Sequence, residues 1–345
     1  MVSGKRLFIL LAALFCIMPA TARPDQPDAG LLARWDDDPH KDLRAVIVLR
    51  GGRIVAERYF NSETADTLHD IRSAGKSVTA LLAGIAIDRG AISRVEDRLA
   101  TYWPVSRGSP VGDVPLQDIL TMRSGLDAFD EDPASPGNED RMDEAPDPSA
   151  FLRAIPASGK PGLDYRYNSA TAYAAGIMIA EATGEPMATF AGRTLFRPLG
   201  INRWKWDADA SGYTKGQGNL YLTARDLGRI GEMVRNGGRH RGKQIVSAQW
   251  IAQMLMPRVA IAQADPYADS YGYFWYVKDW QIGGRTLRIS FASGNGGNKI
   301  YIAPDLGLVV AITSSAYGHG YGQRRSQDIL EAILKAEIDK RLSPL

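Results

Sequence analysis

The chain has 345 residues, 45% hydrophobic and 23% charged, with 41 basic and 39 acidic side chains. That is enough apolar material for one large domain or two intimately packed ones, and it excludes a disordered, collagen-like or polytopic membrane protein. The near-neutral balance argues against nucleic acid or an anionic membrane surface as the main partner.

The first 22 residues stand apart. Lys5 and Arg6 precede a nearly pure apolar run from Leu7 to Met18, and Pro19-Ala20-Thr21-Ala22 ends on small residues in an A-x-A arrangement. This is the layout of a secretory signal peptide cleaved after Ala22. The apolar run is well short of the roughly 20 residues that span a bilayer, so no stable membrane insertion is expected after cleavage. The expectation is an exported protein, periplasmic or extracellular. Cys16, the one cysteine, lies inside this run behind Phe15. The mature chain therefore has no disulfide, thiol nucleophile or cysteine-based metal site, and its basic and acidic residues balance.

Residues 23–41 are polar and rich in Pro and Asp. Arg44 to Phe60 reads as a hairpin, with Ala45-Val46-Ile47-Val48-Leu49 as one strand, Gly51-Gly52 as the turn and Ile54 to Phe60 as the return. Ser73 to Arg89 reads as a buried helix, with Val78, Leu81, Leu82, Ile85 and Ala86 at helical spacing and Gly90 as the stop. Leu116 to Met122 is a short helix, and residues 127–148 an exposed loop or lid. Helices follow at Ala170–Ala182, Ala224–Val234 and Ala248–Met256. Strands return at Tyr271–Val277, Thr286–Ala292, Lys299–Ile302 and Leu308–Thr313, before an amphipathic closing helix over Ser326–Arg341. Strands at both ends predict one sheet built from the two chain ends (23–90 and 265–345), with a mainly helical lobe (91–264) inserted between them.

The motifs narrow the chemistry. No serine lies in a G-x-S-x-G elbow. The four histidines, His40, His69, His240 and His319, form no zinc-type pair and read as surface or loop residues. Gly75-Lys76-Ser77 lacks the earlier glycine of a phosphate loop, because Asp70 stands there. What remains is Ser73-Ala74-Gly75-Lys76. On a helix, residues i and i+3 share a face, so the Ser73 hydroxyl and the Lys76 amine can meet. Serine needs a base to become nucleophilic, and burial can make lysine one by lowering its pKa. The same residues also fit a helix-capping serine followed by a surface lysine.

Tyr165-Arg166-Tyr167-Asn168-Ser169 closes a second segment just before a helix. A tyrosine there can shuttle a proton between nucleophile and leaving group, or simply be a half-buried aromatic beside a helix cap. The third segment, Ser293-Gly294-Asn295-Gly296-Gly297-Asn298, runs into Lys299-Ile300-Tyr301-Ile302. Glycines in a strand mark close approach of a backbone or ligand, and an amide there can complete an oxyanion hole with that of Ser73. A plain hairpin turn fits the same residues.

In this order the three segments resemble the serine β-lactamase and penicillin-recognising superfamily, in its class C β-lactamase-like branch. That branch includes D-amino-acid peptidases, family VIII esterases and 6-aminohexanoate-dimer hydrolases. The stretches "HDIRSAGKSVTALLAGIAIDRGAI" (69–92), "LQDILTMRSGLD" (116–127), "PLGINRWKWD" (198–207), "LTARDLGRIGEMVRNGG" (222–238) and "GNGGNKIYIAPDLGLVVAIT" (294–313) carry the likeness over nearly the whole mature chain. The resemblance implies a β-lactamase-like α/β (α+β) fold, an antiparallel sheet flanked by helices. It implies Ser73 as the acylated nucleophile, Lys76 as its base and Tyr167 as the tyrosine of the Y-x-N motif, with Tyr165 two places earlier. Ser169 stands where the family often has Asn. Ser293, Gly294, Asn295, Gly296, Gly297 and Asn298 fall at the substrate- and oxyanion-binding segment, with no Lys or His beside the glycines. The expected function is hydrolysis of a small-molecule amide or ester without metal or organic cofactor. A D,D-peptidase or β-lactamase, or a non-catalytic penicillin-binding-like module, are the alternatives.

Overall fold

The computed structural model describes residues 29–342 together with Met1; the signal-peptide reading lies outside the described residues. The N-terminal hairpin is as expected: β1 (Leu43–Arg50) and β2 (Arg53–Tyr59) pair antiparallel, with Gly51 and Gly52 at φ +54 and +81, the left-handed region a tight turn demands. Two-residue strands β3 (His69–Asp70) and β4 (Lys205–Trp206) flank β5 (Leu220–Leu222) in a small second sheet. A short hairpin, β6 (Arg239–His240) with β7 (Lys243–Gln244), stands alone. The remaining strands are β8 (Val259–Ala260), β9 (Ser270–Tyr271), β10 (Tyr276–Ile282), β11 (Arg285–Gly294), β12 (Asn298–Ala303) and β13 (Leu308–Ser314).

The main sheet runs β2-β1-β13-β12-β11-β10-β9-β8, antiparallel throughout. It is thus built from both chain ends, with β1 lying against β13. Both are buried almost end to end, which suits a strand covered on both faces.

Six helices position the site: α1 (Ala74–Asp88), α2 (Glu139–Asp143), α3 (Ser169–Thr183), α4 (Ala224–Arg235), α5 (Ala248–Leu255) and α6 (Gly320–Leu342). α4 falls in the stretch expected to be a separate helical lobe, yet it packs on β1, β12 and β13. Its Gly228 and Gly231 let Leu49, Ile300 and Val309 approach. α6 covers the other face: Trp280 on β10 donates to Glu331 of α6, and Tyr301, one residue from Ile300, sits near Glu331, as the two-residue alternation of a strand requires. α1 is buried all round from Ala74 to Ala86. It packs on α3 and β11, and Gly84 leaves room for Trp250 of α5, whose indole donates to the Ala80 carbonyl at 3.0 Å.

Three local expectations are corrected. The strand expected over 271–277 is broken after Tyr271: Phe274 takes φ +54, the Gly272 amide turns back to the Trp275 carbonyl, and the Phe274 carbonyl accepts the Ser77 hydroxyl at 2.6 Å. Apolar side chains there serve α1 as well as the sheet, which a strand pattern does not reveal. Residues 127–148 are exposed only in part: residues 131–134 lie on the surface, while Ser135, Asn138 and Met142 are buried. Asn138 is buried and knits the segment by donating to the Asp130 and Asp132 carbonyls and accepting from the Asp140 amide. His69 is buried rather than superficial, because β3 pairs it with Leu222.

Candidate active site

The nucleophile position is built from the chain just before α1. Arg72 holds φ +51, a region costly for a residue with a Cβ. It is held there by its amide donating to Asp70 Oδ1 at 2.9 Å, by its guanidinium pairing with Asp70, and by stacking on Tyr317, 4.1 Å from the ring centre. The next residue, Ser73, is the N-cap of α1 but makes no side-chain capping bond. The capping reading of this serine therefore fails, and its hydroxyl faces a different partner.

That partner is Lys76. Its Nζ donates to Ser73 Oγ at 2.9 Å, to Ser169 Oγ at 3.0 Å and to the Gln217 carbonyl at 2.9 Å. Lys76 is 1% exposed, so the surface-lysine reading fails with it. Ser169, fully buried at the start of α3, is placed by Asn168, whose side chain caps α3 by accepting the Thr171 amide at 2.7 Å. Tyr167, half-buried, sets its ring 5.1 Å from Lys76 Nζ.

The charge on Lys76 departs from the expectation. Burial opposes its ammonium, but the neighbouring Tyr167, Glu139 and Asp130 outweigh burial and hold its pKa above the usual lysine value. The two carboxyls come from the 127–143 segment. Burial raises the pKa of each, and the charge of Lys76 and hydrogen bonding from Ser169 oppose the rise. An ammonium also matches three convergent acceptors with its three donors. The direction of the Lys76 shift is thus upward, where the apolar helix alone implied a lowering. Asp130, Glu139 and the Gln217 carbonyl carry no motif signal; they were missed because only folding brings a loop's carboxyls under a helix.

The third segment divides. β10 stops pairing with β11 at Tyr276 opposite Phe291, so Ala292, Ser293 and Gly294 present an edge free of β10. Gly294 lies against the turn that holds Ser73: a Cβ there would sit 2.1 Å from the Ile71 carbonyl oxygen and 3.0 Å from the Ala74 amide. This is the close backbone approach anticipated for the glycine. Gly296 and Gly297 face elsewhere, against Tyr317 and against Gly322 and Ser326 of α6. Asn295 is exposed and its Oδ1 accepts the Gly318 amide. Asn298 is fully buried and tied to Asn295 and Ser314, so its amide supports the turn rather than facing Ser73. Tyr165 packs edge-on to Tyr271, with ring centres 5.5 Å apart, and burial raises its phenol well above the usual range.

The strand position of Lys299 alone leaves either face of the sheet open to its side chain. Register places Lys299 directly opposite Ser293, and Lys299 Nζ donates to Ser293 Oγ at 2.7 Å. The three-residue turn between Gly294 and Asn298 contains this pairing in principle, but only if the hairpin is closed in that register.

The β-lactamase family model matches residues 44–334. The chain belongs to the β-lactamase family. As a family member it is a serine hydrolase. It is 27% identical over 292 residues to the 6-aminohexanoate-dimer hydrolase of Paenarthrobacter ureafaciens, covering 79% of this chain and 72% of that one. Among solved structures, a Bacillus anthracis protein assigned as a 6-aminohexanoate-dimer hydrolase superposes with a TM-score of 0.75 at 20% identity, over 90% of this chain and 82% of that one. A class C β-lactamase from Rhodobacter sphaeroides superposes with a TM-score of 0.65 at 18% identity, over 90% and 99%. These two likenesses establish the β-lactamase-like fold, a mixed α/β architecture with a large antiparallel sheet flanked by helices. Among the described residues no helix is long and apolar enough to cross a membrane.

Proposed function

We propose that this chain is an exported hydrolase of small amides or esters that works through an acyl-Ser73 intermediate. The observation that carries the reading is Lys76 Nζ bridging Ser73 Oγ and Ser169 Oγ with no water-facing side. Ser73 Oγ attacks the substrate carbonyl carbon as its proton is taken by Lys76 in its amine form, which lies 2.9 Å away, with the Tyr167 hydroxyl as a relay beside it. The ammonium formed by that transfer stabilises the developing oxyanion-bearing adduct next to it. Tyr167 then returns the proton to the leaving amine or alcohol as the C–N or C–O bond breaks. Water attacks the acyl-Ser73 ester by the same route in reverse roles, releasing the acid and restoring the Ser73 hydroxyl. The amide of Ser73 and the free edge of β11 near Gly294 supply the oxyanion donors.

The substrate reading follows from where the second lysine lies. Lys299 is buried behind Ser293, so a carboxylate at this edge meets a hydroxyl and not the ammonium itself. A strong ionic anchor for a β-lactam carboxylate is therefore missing, while an ester or amide lacking that carboxylate loses nothing. The relationship to a 6-aminohexanoate-dimer hydrolase supports the same class of bond. The leader-like first 22 residues support export. The test is kcat/KM of the protein for a p-nitrophenyl short-chain ester against a chromogenic cephalosporin. An ester value well above the cephalosporin value is expected; the reverse order would favour the β-lactamase reading.

A further inference from the structure

We propose that Lys299 is a positioning residue that sets the hydrogen-bond polarity of the Ser293 hydroxyl at the substrate edge, so that the site accepts anionic substrates in one protonation state and disfavours them in the other. The proposal deepens the hydrolase reading and rests on it for the place of the substrate.

Four observations carry it. Ser293 and Lys299 are cross-strand partners, and their hydrogen bond is 2.7 Å. Lys299 is 2% exposed while Ser293 is half-buried, so the hydroxyl is the end of the pair that meets solvent. Ser293 lies on the edge that β10 leaves free, beside the Gly294 that touches the Ser73 turn. Lys299 is walled by rings: its Nζ is 5.0 Å from the centre of Phe291, 5.8 Å from Tyr301 and 5.9 Å from Tyr267. Among the described residues, Ser293 is its one hydrogen-bond partner.

The chemistry follows from counting protons. An ammonium can only donate. It therefore occupies a lone pair of Ser293 Oγ and leaves the hydroxyl hydrogen free to point at a substrate oxygen. A neutral amine has a buried lone pair that needs a donor, and ring faces cannot supply one. The Ser293 hydrogen then turns to Lys299, and the oxygen lone pairs turn to the substrate. A carboxylate is welcomed in the first state and repelled in the second. Burial pushes the Lys299 pKa down to about 7, with the carboxylate of Asp265 opposing that fall, which puts the exchange near neutral pH. The titratable groups around it are Asp265 and Tyr267 from the segment before β9, and Tyr301 on β12 with Glu331 of α6 behind it.

The experiment has two arms on the full chain. In the first, [13C]lysine-labelled protein is titrated by NMR, with the Lys299 signal assigned by its loss in Lys299→Met. A midpoint near neutrality that moves lower in Ser293→Ala is expected, because the ammonium loses its hydrogen bond; a midpoint in the ordinary lysine range, or one indifferent to Ser293→Ala, overturns the proposal. In the second, kcat/KM is measured from pH 5.5 to 8.5 for two p-nitrophenyl esters that differ only by a terminal carboxylate. The ratio of charged to neutral ester should fall about tenfold as pH rises through neutrality, and should be flat in Ser293→Ala and in Lys299→Met. A flat ratio in the parent, or an unchanged slope in Ser293→Ala, refutes it. Should neither ester be hydrolysed, the hydrolase reading fails, and the NMR arm still decides the Lys299–Ser293 pair.

Discussion

Lys76 Nζ lies 2.9 Å from Ser73 Oγ while its other two donors are fixed on Ser169 and the Gln217 carbonyl. The lysine is thus locked in one geometry by groups from three separate stretches of chain. A side chain so placed loses little entropy on reaching the transition state, and it makes the first predictions concrete.

Ser73 is expected to be the sole covalent nucleophile. A fluorophosphonate probe followed by peptide mapping should place the adduct on Ser73. Ser73→Ala should abolish both labelling and turnover; an adduct on another serine would contradict the assignment.

Lys76→Arg should lose activity by about two to three orders of magnitude with the fold retained by circular dichroism. The positive charge survives, but a planar guanidinium cannot converge on three acceptors arranged around one nitrogen. Retention of most of kcat would remove Lys76 from the machinery.

Glu139→Gln should move one limb of the pH–kcat/KM profile to lower pH. Glu139 is among the charges that hold the Lys76 pKa up, so deleting it lets the ammonium deprotonate earlier. The direction is the same whether the limb reports loss of the ammonium or gain of the amine. A profile superimposable on the parent would show that Glu139 does not couple to the site.

Gly294→Ala should reduce kcat/KM by about a hundredfold, since displacing the Ser73 turn by even an ångström is enough. The added Cβ would meet the Ile71 carbonyl oxygen at 2.1 Å, so backbone must shift. Activity near the parent's would mean that the β11 edge and the turn are not coupled.

Arg325→Met should destabilise the protein by about 3–5 kcal/mol, read as a Tm drop on the order of 10 °C. Arg325 of α6 pairs with the buried Asp38 at 2.8 Å and with Asp42 at 2.6 Å. Burial works against the Asp38 carboxylate, but the Leu43 and Asp42 amides and Arg325 outweigh it and hold its pKa below the usual carboxylate value. A lowered acid stabilises the fold above its unfolded pKa and loses that contribution as pH falls through the folded value. The parent should therefore lose this contribution only in strong acid. A variant as stable as the parent at pH 7 would show the pair to be dispensable.

Much was legible in the sequence because it depends on local periodicity. The β1–β2 hairpin, the helix from Ala74, the return strands and the Ser73–Lys76 spacing follow from side chains that repeat every two residues or every three to four. The sequence alone also placed Tyr167 and Ser169 at a helix start, where Asn168 is the cap. Tertiary structure decided what depends on chain segments meeting. The 127–143 segment looked like solvent-exposed loop because it is acidic and rich in proline and glycine, yet Asn138 folds it inward and sets Asp130 and Glu139 near Lys76. The upward shift of Lys76 follows from Tyr167 and from that meeting, and not from its own helix. Lys299 is the same case: its strand pattern allowed either face, and only the register opposite Ser293 directs its amine to the substrate edge. Electrostatic state and strand register are properties of neighbours in space, and a single sequence lists neighbours only along the chain.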